Sequence, residues 1–405
     1  MISSLPSAGS EEWLRELAAR PGEFAGLLAQ AGSDSAAGFR HTVREIAQQP
    51  PTWSATARLL ADAAGVVREA SEGCERVVLT GSGSSEYAGA CAAPEVQAAL
   101  GLPVEVAGGG ELLLRRQASI GSGPALVVSL ARSGDSPESA AVIETLLATE
   151  PATRHLVITC NRNGRAALEF AGNPRVTAIC LSDEVNDHSL VMTSSFTNLA
   201  LSARFLGAAE NAGAFVERAE RLNAAGRALL ERWPDRLAGF ASGDVRRVVF
   251  LGGGCRFGAA REGALKVLEM TAGGLATMAE TFLGVRHGPM SFIDGHTLVV
   301  AFLSSDPLIR AYELDLIEEL NAKKLGLRKL IAGTGGVAAD LCRGEDVAVR
   351  YELADAADGD LAVLGAVIAQ IIGFHCCRRA GLSPDSPSAA GVISRVVGSF
   401  RIHKG

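Results

Sequence analysis

The sequence predicts an α/β fold of two tandem units, each a parallel sheet flanked by helices in three αβα layers. Three observations predict it: short β-branched runs that end in small-residue loops, longer helical stretches between the runs, and a similar spacing of the runs in both halves of the chain. At 405 residues the chain also exceeds the size at which one hydrophobic core usually stops growing. Two domains are therefore expected.

Each β-branched run is predicted to be a short buried strand that ends in a loop rich in Gly, Ser and Asp. The runs occupy residues 76–85, 125–136, 155–164, 247–254, 297–306 and 329–336. Central residues of the runs are 50 and 29 positions apart in the first half and 50 and 31 in the second: Val78, Val128, Val157, then Val249, Val299, Leu330. This spacing indicates an internal duplication, with chance spacing inside one larger sheet as the alternative.

The predicted units divide the chain into five segments. Residues 1–52 are expected to form an N-terminal helical segment, in which Pro50 and Pro51 stop a polar helix. The remaining segments are the first domain at 53–212, a helical linker at 213–242, the second domain at 243–381, and a C-terminal loop and tail at 382–405. The Pro/Ser-rich residues 383–391 are predicted to be a surface loop, which is either a closing flap or a plain connector.

The charge balance disfavours nucleic acid and anionic membranes as partners. Lys and Arg number 38 against 45 Asp and Glu, which gives a net charge of −7, and no basic tract is visible. The first forty residues carry charges where a secretory signal needs an apolar core, so a cytoplasmic protein is expected. The longest apolar run, 361–374, contains Gln370 and is shorter than a membrane span, which favours a buried helix.

The cysteines and histidines show no metal-ligand spacing. None of the eight cysteines forms a CxxC pair, so they are predicted to be small core residues in a reducing compartment. The seven histidines are scattered through the chain. We therefore expect no metal and no cofactor.

Three Ser/Thr-rich elements of the first half could hold a phosphate. They are "GSGSSE" at 81–86, "ARSGDS" at 131–136 and "MTSS" at 192–195. At the carboxyl ends of parallel strands, hydroxyl and backbone N–H groups suit a phosphate dianion. Glu86 replaces the third glycine of a dinucleotide fingerprint, and the GK[ST] of a nucleotide-binding loop is missing. A small phosphorylated ligand is therefore favoured over a nucleotide.

The stretch "EGALKVLEM" places three charges on one helical face. Glu262, Lys266 and Glu269 lie at positions i, i+4 and i+7 in an otherwise apolar segment. Such a stripe is either a solvated face with an ion pair or the wall of a ligand cavity.

Several of these motifs resemble those of one enzyme family. "ARSGDSPES" resembles the phosphate loop of the sugar isomerase (SIS) domain. "EGALKVLEM" and "GVRHGPMSFI" resemble the second SIS domain of the isomerase half of glucosamine-6-phosphate synthase. Together with "REIAQQP", "MTSSFT" and "PDSPSAAGVISRVV", they are most similar to the AgaS group, from about residue 42 to the C-terminus. The resemblance implies two tandem SIS domains with flavodoxin-like or Rossmann-like layering.

The resemblance also implies roles for particular residues. The implied phosphate contacts are Ser84, Ser85, Ser133 and Ser136, with Thr193 and Ser194 nearby. Glu269 falls on the catalytic base, Lys266 on the helix lysine, and His287 on a ring-opening histidine that reaches the site from a second subunit. A homodimer with shared active sites is then expected.

The chain departs from the family pattern at three places. Ala131 replaces the first serine of the phosphate loop, and Arg132 follows it, so that charge could substitute for the lost hydroxyl. The C-terminal lysine of the synthase is not evident, and Arg395 is the cation nearby. The glutaminase half, with its N-terminal cysteine nucleophile, is missing.

The implied activity is conversion of galactosamine 6-phosphate to tagatose 6-phosphate with release of ammonia, with Glu269 as the base that moves the proton. Neither a metal nor pyridoxal phosphate is implied. Three alternatives stay open: a tagatose-6-phosphate aldose/ketose isomerase, a glucosamine-6-phosphate deaminase, and a non-catalytic sugar-phosphate sensor.

Overall fold

The computed structural model describes residues 2–3, 8–34, 36–335, 339–398 and 401–403. Parts of the predicted segments 1–52 and 382–405, and residue 336 at the end of the run 329–336, lie outside this range. The described strands are β1 (Ile2–Ser3), β2 (Arg76–Gly81), β3 (Val104–Gly108), β4 (Ala125–Ala131), β5 (Thr153–Thr159), β6 (Val176–Cys180), β7 (Arg247–Leu251), β8 (Ala276–Glu280), β9 (Thr297–Phe302), β10 (Arg328–Gly333) and β11 (Val347–Arg350).

The strands form two sheets whose strand pairs are all parallel. The first sheet has the order β1-β6-β5-β4-β2-β3, and the second has the order β11-β10-β9-β7-β8. Apart from the two-residue β1, the two sheets repeat one topology, strand for strand. The predicted α/β class, the two parallel sheets and the internal duplication are thus confirmed.

All six predicted strands are present, and five strands were not predicted. Four of these, β3, β6, β8 and β11, lie at or beside sheet edges and are only partly buried. Their sequences therefore lack the continuous apolar run that marks a strand covered on both faces.

Helices cover both sheets and join them. They are α1 (Ala8–Ala18), α2 (Glu23–Ser33), α3 (Arg40–Ala47), α4 (Gln49–Asp62), α5 (Ala64–Ser71), α6 (Ser84–Leu100), α7 (Gly109–Ile120), α8 (Pro137–Thr149), α9 (Arg165–Leu168), α10 (Ser194–Arg204), α11 (Ala212–Arg232), α12 (Pro234–Phe240), α13 (Cys255–Met270), α14 (Pro307–Ala322) and α15 (Asp358–Arg379). Pro50 and Pro51 lie in the first turn of α4, where the missing N–H group costs nothing, so they begin a helix directly after α3 ends.

The first helix of each domain starts from the same glycine turn. Gly83 precedes α6 with φ 58° and ψ −123°, and Gly254 precedes α13 with φ 54° and ψ −131°. Both values lie in a region that favours glycine. A Cβ atom on Gly81 would lie 2.6 Å from the Cβ of Ser85, and one on Gly252 would lie 2.4 Å from the carbonyl oxygen of Arg256. The duplication therefore extends to the loops that follow β2 and β7.

These two helices pack against each other and join the domains. A Cβ atom on Gly258 of α13 would lie 2.6 Å from the backbone nitrogen of Cys91 and 2.8 Å from the carbonyl oxygen of Tyr87, both in α6. Further along, Lys266 near the end of α13 contacts Ser84 at the start of α6, so the helices run antiparallel. One buried core cluster runs from the first sheet through α6 and α13 to the second sheet.

The apolar run 361–374 is the centre of α15, a 22-residue helix that is longer than the run itself. Among the described residues, α15 alone is long and apolar enough to cross a membrane, and its most apolar window is fully buried inside the fold. Gln370 accepts a hydrogen bond from Gln49 of α4 (2.7 Å). The predicted buried helix is thus confirmed. The eight cysteines are free thiols, and seven of them are buried.

Replacing Gly258 should weaken the joint between the domains. In Gly258→Ala the new methyl group meets backbone atoms of α6, so we expect a loss of about 1–3 kcal/mol in the free energy of unfolding. Thermal and urea unfolding would measure it. Gly213→Ala, on α11 with open space around it, is the control and should change stability by about 1 kcal/mol or less. Equal stability of the two variants would contradict this close contact.

Candidate active site

The charged stripe of α13 is buried against the start of α6. Glu262 and Lys266 are fully buried, whereas the Glu269 side chain keeps 23% of its surface exposed. The Lys266 Nζ atom lies 3.3 Å from Glu262 Oε1 and 2.5 Å from Glu269 Oε2, and it donates to the Ser84 hydroxyl at 3.2 Å. The stripe therefore faces the first domain, and the alternative of a solvated face does not hold.

Glu262, Lys266 and Glu269 form a triad whose charges are set by burial and by mutual attraction. Burial alone would lower the pKa of Lys266, but the carboxylates of Glu262 and Glu269 raise it above its ordinary value. Burial also raises the pKa of Glu262 to about 7, although the Lys266 ammonium opposes the rise. The Ser84 hydroxyl also acts against this rise. The triad therefore holds a charged lysine beside one partly exposed carboxylate and one buried carboxyl group that titrates near neutral pH.

The predicted phosphate serines lie at two neighbouring helix N-termini. Ser84 and Ser85 open α6, directly after β2, and both are buried. Ser133 and Ser136 follow β4, which pairs with β2, and Ser136 is the N-cap residue of α8. Since β2 and β4 are adjacent and parallel, their carboxyl ends meet at one sheet edge, and both helix N-termini point free N–H groups there. The structure thus brings the four serines to one edge.

Thr193 and Ser194, two further predicted phosphate contacts, bond to the Asp187 carboxylate within the chain. Both are fully buried at the start of α10, where their N–H and hydroxyl groups donate to the Asp187 carboxylate over 2.7–3.2 Å. Ser195 adds two further donors to the same carboxylate. An internal carboxylate therefore caps the start of α10, because a helix N-terminus stabilises an anion held against it.

Arg132 points its donors at carbonyl oxygens. Its Nη1 atom donates to the carbonyls of Ser189 (3.3 Å) and Leu190 (3.0 Å), and its Nη2 atom donates to the carbonyl of Arg395. The Glu269 charge acts on Arg132, and the Arg132 charge in turn acts on Lys266. The serine loop (residues 131–136) and the triad are therefore within electrostatic range of one another.

His287 is not brought to the triad within one chain. It ends a short 3-10 helix, Gly284–His287, and its side chain is exposed. Val285 of that helix packs with Val249 on one face of the second sheet, whereas α13 packs on the opposite face through Val267. Within one chain, His287 therefore belongs to the face of the second sheet opposite the triad.

Sequence reasoning left three supporting residues out of the site. Glu262 belongs to the quoted stripe but was given no role. Asp187 lies six residues before Thr193, and its capping role has no local signature. Glu45 of α3 is buried and accepts hydrogen bonds from the backbone and hydroxyl of Ser189. Burial, with help from Asp187, raises the pKa of Glu45 to about 8.

A cleft of about 770 Å³ lies between α1–α3 and residues 183–188. Glu45 lines it, but none of the residues predicted for the site does. Among the described residues, no group of three or more His, Cys, Asp and Glu side chains is placed to hold a metal ion.

The chain resembles known proteins over most of its length, although no protein-family model matches it. It is 37% identical over 376 residues to an AgaS protein of Streptomyces coelicolor, covering 90% of this chain and 95% of that protein. It is 34% identical to the D-galactosamine-6-phosphate deaminase AgaS of Escherichia coli O157:H7, covering 81% and 85%. The solved tagatose-6-phosphate ketose/aldose isomerase of Escherichia coli aligns with a TM-score of 0.78 at 30% identity, covering 86% and 95%.

The fold has two parallel sheets, and serines at helix N-termini lie near the charged side chains of α13. Together with these relatives, this arrangement defines a phosphosugar enzyme of the sugar isomerase (SIS) class. Within that class, the chain belongs to the AgaS family.

The raised pKa of Glu262 predicts a pH-dependent stability difference. The folded state holds the Glu262 proton more tightly than the unfolded chain, whose carboxyl titrates near 4.5, so wild type loses stability as pH rises from about 4.5 to 7. Glu262→Gln does not titrate. The free energy of unfolding of Glu262→Gln minus that of wild type should therefore rise by up to about 3 kcal/mol between pH 5 and 8.

Chemical denaturation at several pH values would measure this difference. Glu12→Gln, which changes an exposed carboxylate on α1, is the control and should give a constant offset from wild type. If the difference between Glu262→Gln and wild type were also the same at every pH, the buried carboxyl group would not be the cause of a pH-dependent stability.

Proposed function

We propose that the chain is an amino-sugar-phosphate deaminase/isomerase that converts galactosamine 6-phosphate and water to tagatose 6-phosphate and ammonia. The observation that carries this proposal is the bond between Lys266 and Ser84, which joins the Glu269 carboxylate of the second domain to the serine loops of the first. The named AgaS deaminase relative supports the choice of substrate.

The phosphate binds, in this proposal, at the shared N-terminal ends of α6 and α8. Hydroxyl groups of Ser84, Ser85, Ser133 and Ser136 and the free N–H groups of the two helices are neutral donors for the dianion. Thr193 and Ser194 act indirectly, because they fix Asp187 and the start of α10.

Glu269 is the proposed base. With the sugar ring open, C1 is an aldehyde and C2 carries the amine and one hydrogen. The Glu269 carboxylate removes the C2 proton, which gives an enolamine, and returns the proton at C1 to give a ketimine at C2. The partial exposure of Glu269 leaves it accessible to substrate. The Lys266 ammonium lies where it can stabilise negative charge that develops on the sugar oxygen.

Water then adds to the C2=N bond and ammonia leaves, so that C2 becomes the ketone of tagatose 6-phosphate. The substrate amine supplies its own imine, so the sequence of steps draws only on the carboxylate, the lysine and water.

His287 is the proposed ring-opening residue, and it acts on the site of a partner subunit. Its exposure and its position on the face opposite α13 support this assignment. The proposal therefore includes a homodimer in which each site takes Glu269 from one subunit and the histidine from the other.

A second candidate is aldose–ketose isomerisation of tagatose 6-phosphate without deamination. The solved Escherichia coli relative of that name favours it, and the same Glu269 proton transfer serves both reactions. Supplying galactosamine 6-phosphate, glucosamine 6-phosphate and tagatose 6-phosphate separately, while following ammonia and ketose, distinguishes the two activities and the epimer preference.

Glu269→Gln should abolish turnover without abolishing binding. Loss of a general base removes about 10²–10⁴-fold in kcat, whereas the affinity for inorganic phosphate should change by about 1 kcal/mol or less because the serines are untouched. Glu318→Gln, an exposed carboxylate on α14, is the matched control and should keep full activity. Parallel loss of turnover and phosphate affinity would remove Glu269 from the role of base.

Shared sites predict complementation between two inactive variants. A mixed dimer of Glu269→Gln and His287→Ala contains one site with both mutations and one intact site. After the subunits of a 1:1 mixture are unfolded and reassembled, random pairing should restore about a quarter of the wild-type activity. Each variant carried alone through the same procedure is the control. An inactive mixture that contains dimers would place both residues in a site within one chain.

A further inference from the structure

The C-terminal segment 391–398 is held against the first domain through Arg395. The Arg395 Nε atom donates to the carbonyl oxygen of Asp187 at 2.8 Å, and its Nη2 atom donates to Asn186 Oδ1 at 2.7 Å. Arg132 of the serine loop donates to the Arg395 carbonyl in return. Neighbouring side chains such as Val392 and Val397 are 84% and 54% exposed, whereas Arg395 is half-buried. Arg395 is thus the anchor of an otherwise exposed segment.

Arg132 and Arg395 form an adjacent pair of cations. Among the described residues, no carboxylate lies within hydrogen-bond distance of either guanidinium group. Burial lowers the pKa of Arg132, the Asp187 carboxylate opposes that effect, and the positive charge of Arg395 lowers the pKa further. Asp187 directs its oxygens at the donors of α10 rather than at the arginines. The pair therefore carries positive charge that lacks a direct counter-ion.

The other charged groups around the pair do not remove this excess. Glu269 is paired with Lys266. Glu45 directs its carboxyl oxygens at the backbone of His188 and at Ser189 rather than at the arginines, and burial raises its pKa. Arg132 directly precedes Ser133 in the serine loop, and its Nη2 atom donates to the carbonyl of Arg395. A phosphate dianion bound at these serines would supply the missing counter-charge.

We propose that Arg395 is a phosphate-binding residue, which the C-terminal segment brings to the serine loop to complete a paired-arginine site with Arg132. A guanidinium group has five donors, and the described contacts of Arg395 use two of them. The remaining donors are available to an anion. The inference rests on the proposed function only in taking a sugar phosphate as the ligand.

Inorganic phosphate tests the inference without any turnover. Calorimetric titration of the full chain should show phosphate binding about tenfold weaker in Arg395→Ala than in wild type, because a charge-assisted bond is lost. Arg395→Lys should recover part of this loss. Arg401→Ala removes an exposed arginine that lies outside the segment 391–398, and this variant should bind phosphate as wild type does.

Trypsin provides a second readout on the unmodified protein. Phosphate should slow cleavage after Arg395 about tenfold or more, because the guanidinium is then bound, and should leave cleavage after Arg401 unchanged. A merely structural anchor would give protection that does not depend on phosphate.

Two results would overturn the inference. One is the same phosphate affinity in Arg395→Ala and Arg401→Ala, and the other is a rate of cleavage after Arg395 that does not change with phosphate. These results are separable from failure of the proposed function. A protein that binds phosphate through Arg395 but releases no ammonia keeps the inference and loses the deaminase. An active deaminase whose KM is the same in both variants keeps the function and loses the inference.

Discussion

The close contact between α6 and α13 is the constraint on which the candidate site depends. Gly258 lets the two helix backbones approach to a distance that a Cβ atom would prevent. Because the helices run antiparallel, the N-terminus of α6 meets the last turns of α13, and Ser84 becomes a partner of Lys266. The proposed phosphate site at the start of one helix is thereby joined to the Glu269 carboxylate near the end of the other. Neither domain contains both halves alone.

The duplicated fold is used differently in the two domains. In the second domain, the loop after β9 and the start of α13 stand where the serine loops stand in the first. There Arg256 pairs with Glu313 at 2.6 Å, and Asp358 accepts hydrogen bonds from the backbone and hydroxyl of Ser305. Internal carboxylates thus lie at the corresponding edge of the second sheet, as Asp187 lies at the start of α10. At the edge formed by β2 and β4, by contrast, Ser85, Ser133 and Ser136 have no carboxylate among their described partners.

Buried charge is concentrated around this edge, and it is held by partners rather than by solvent. Isolated ions would be costly to bury, but Lys266 lies between two carboxylates, and Arg132 is surrounded by carbonyl oxygens. The chain carries a net charge of −7, yet this edge gathers the cations Arg132, Lys266 and Arg395. The proposed anion site therefore depends on a local concentration of cations and does not follow from overall charge.

The sequence by itself determined the buried strands, the duplication and the stripe of α13. These follow from patterns over a few residues, such as the apolar runs around Val78 and Val249 and the i, i+4, i+7 spacing from Glu262. Only the tertiary structure decided that Asp187 would cap the start of α10, that Arg132 would bond to the Arg395 carbonyl, and that His287 would lie on the face opposite Glu269. The physical reason is that helix and strand periodicity is local, whereas the partner of a buried charge is chosen by packing between segments that can lie hundreds of residues apart.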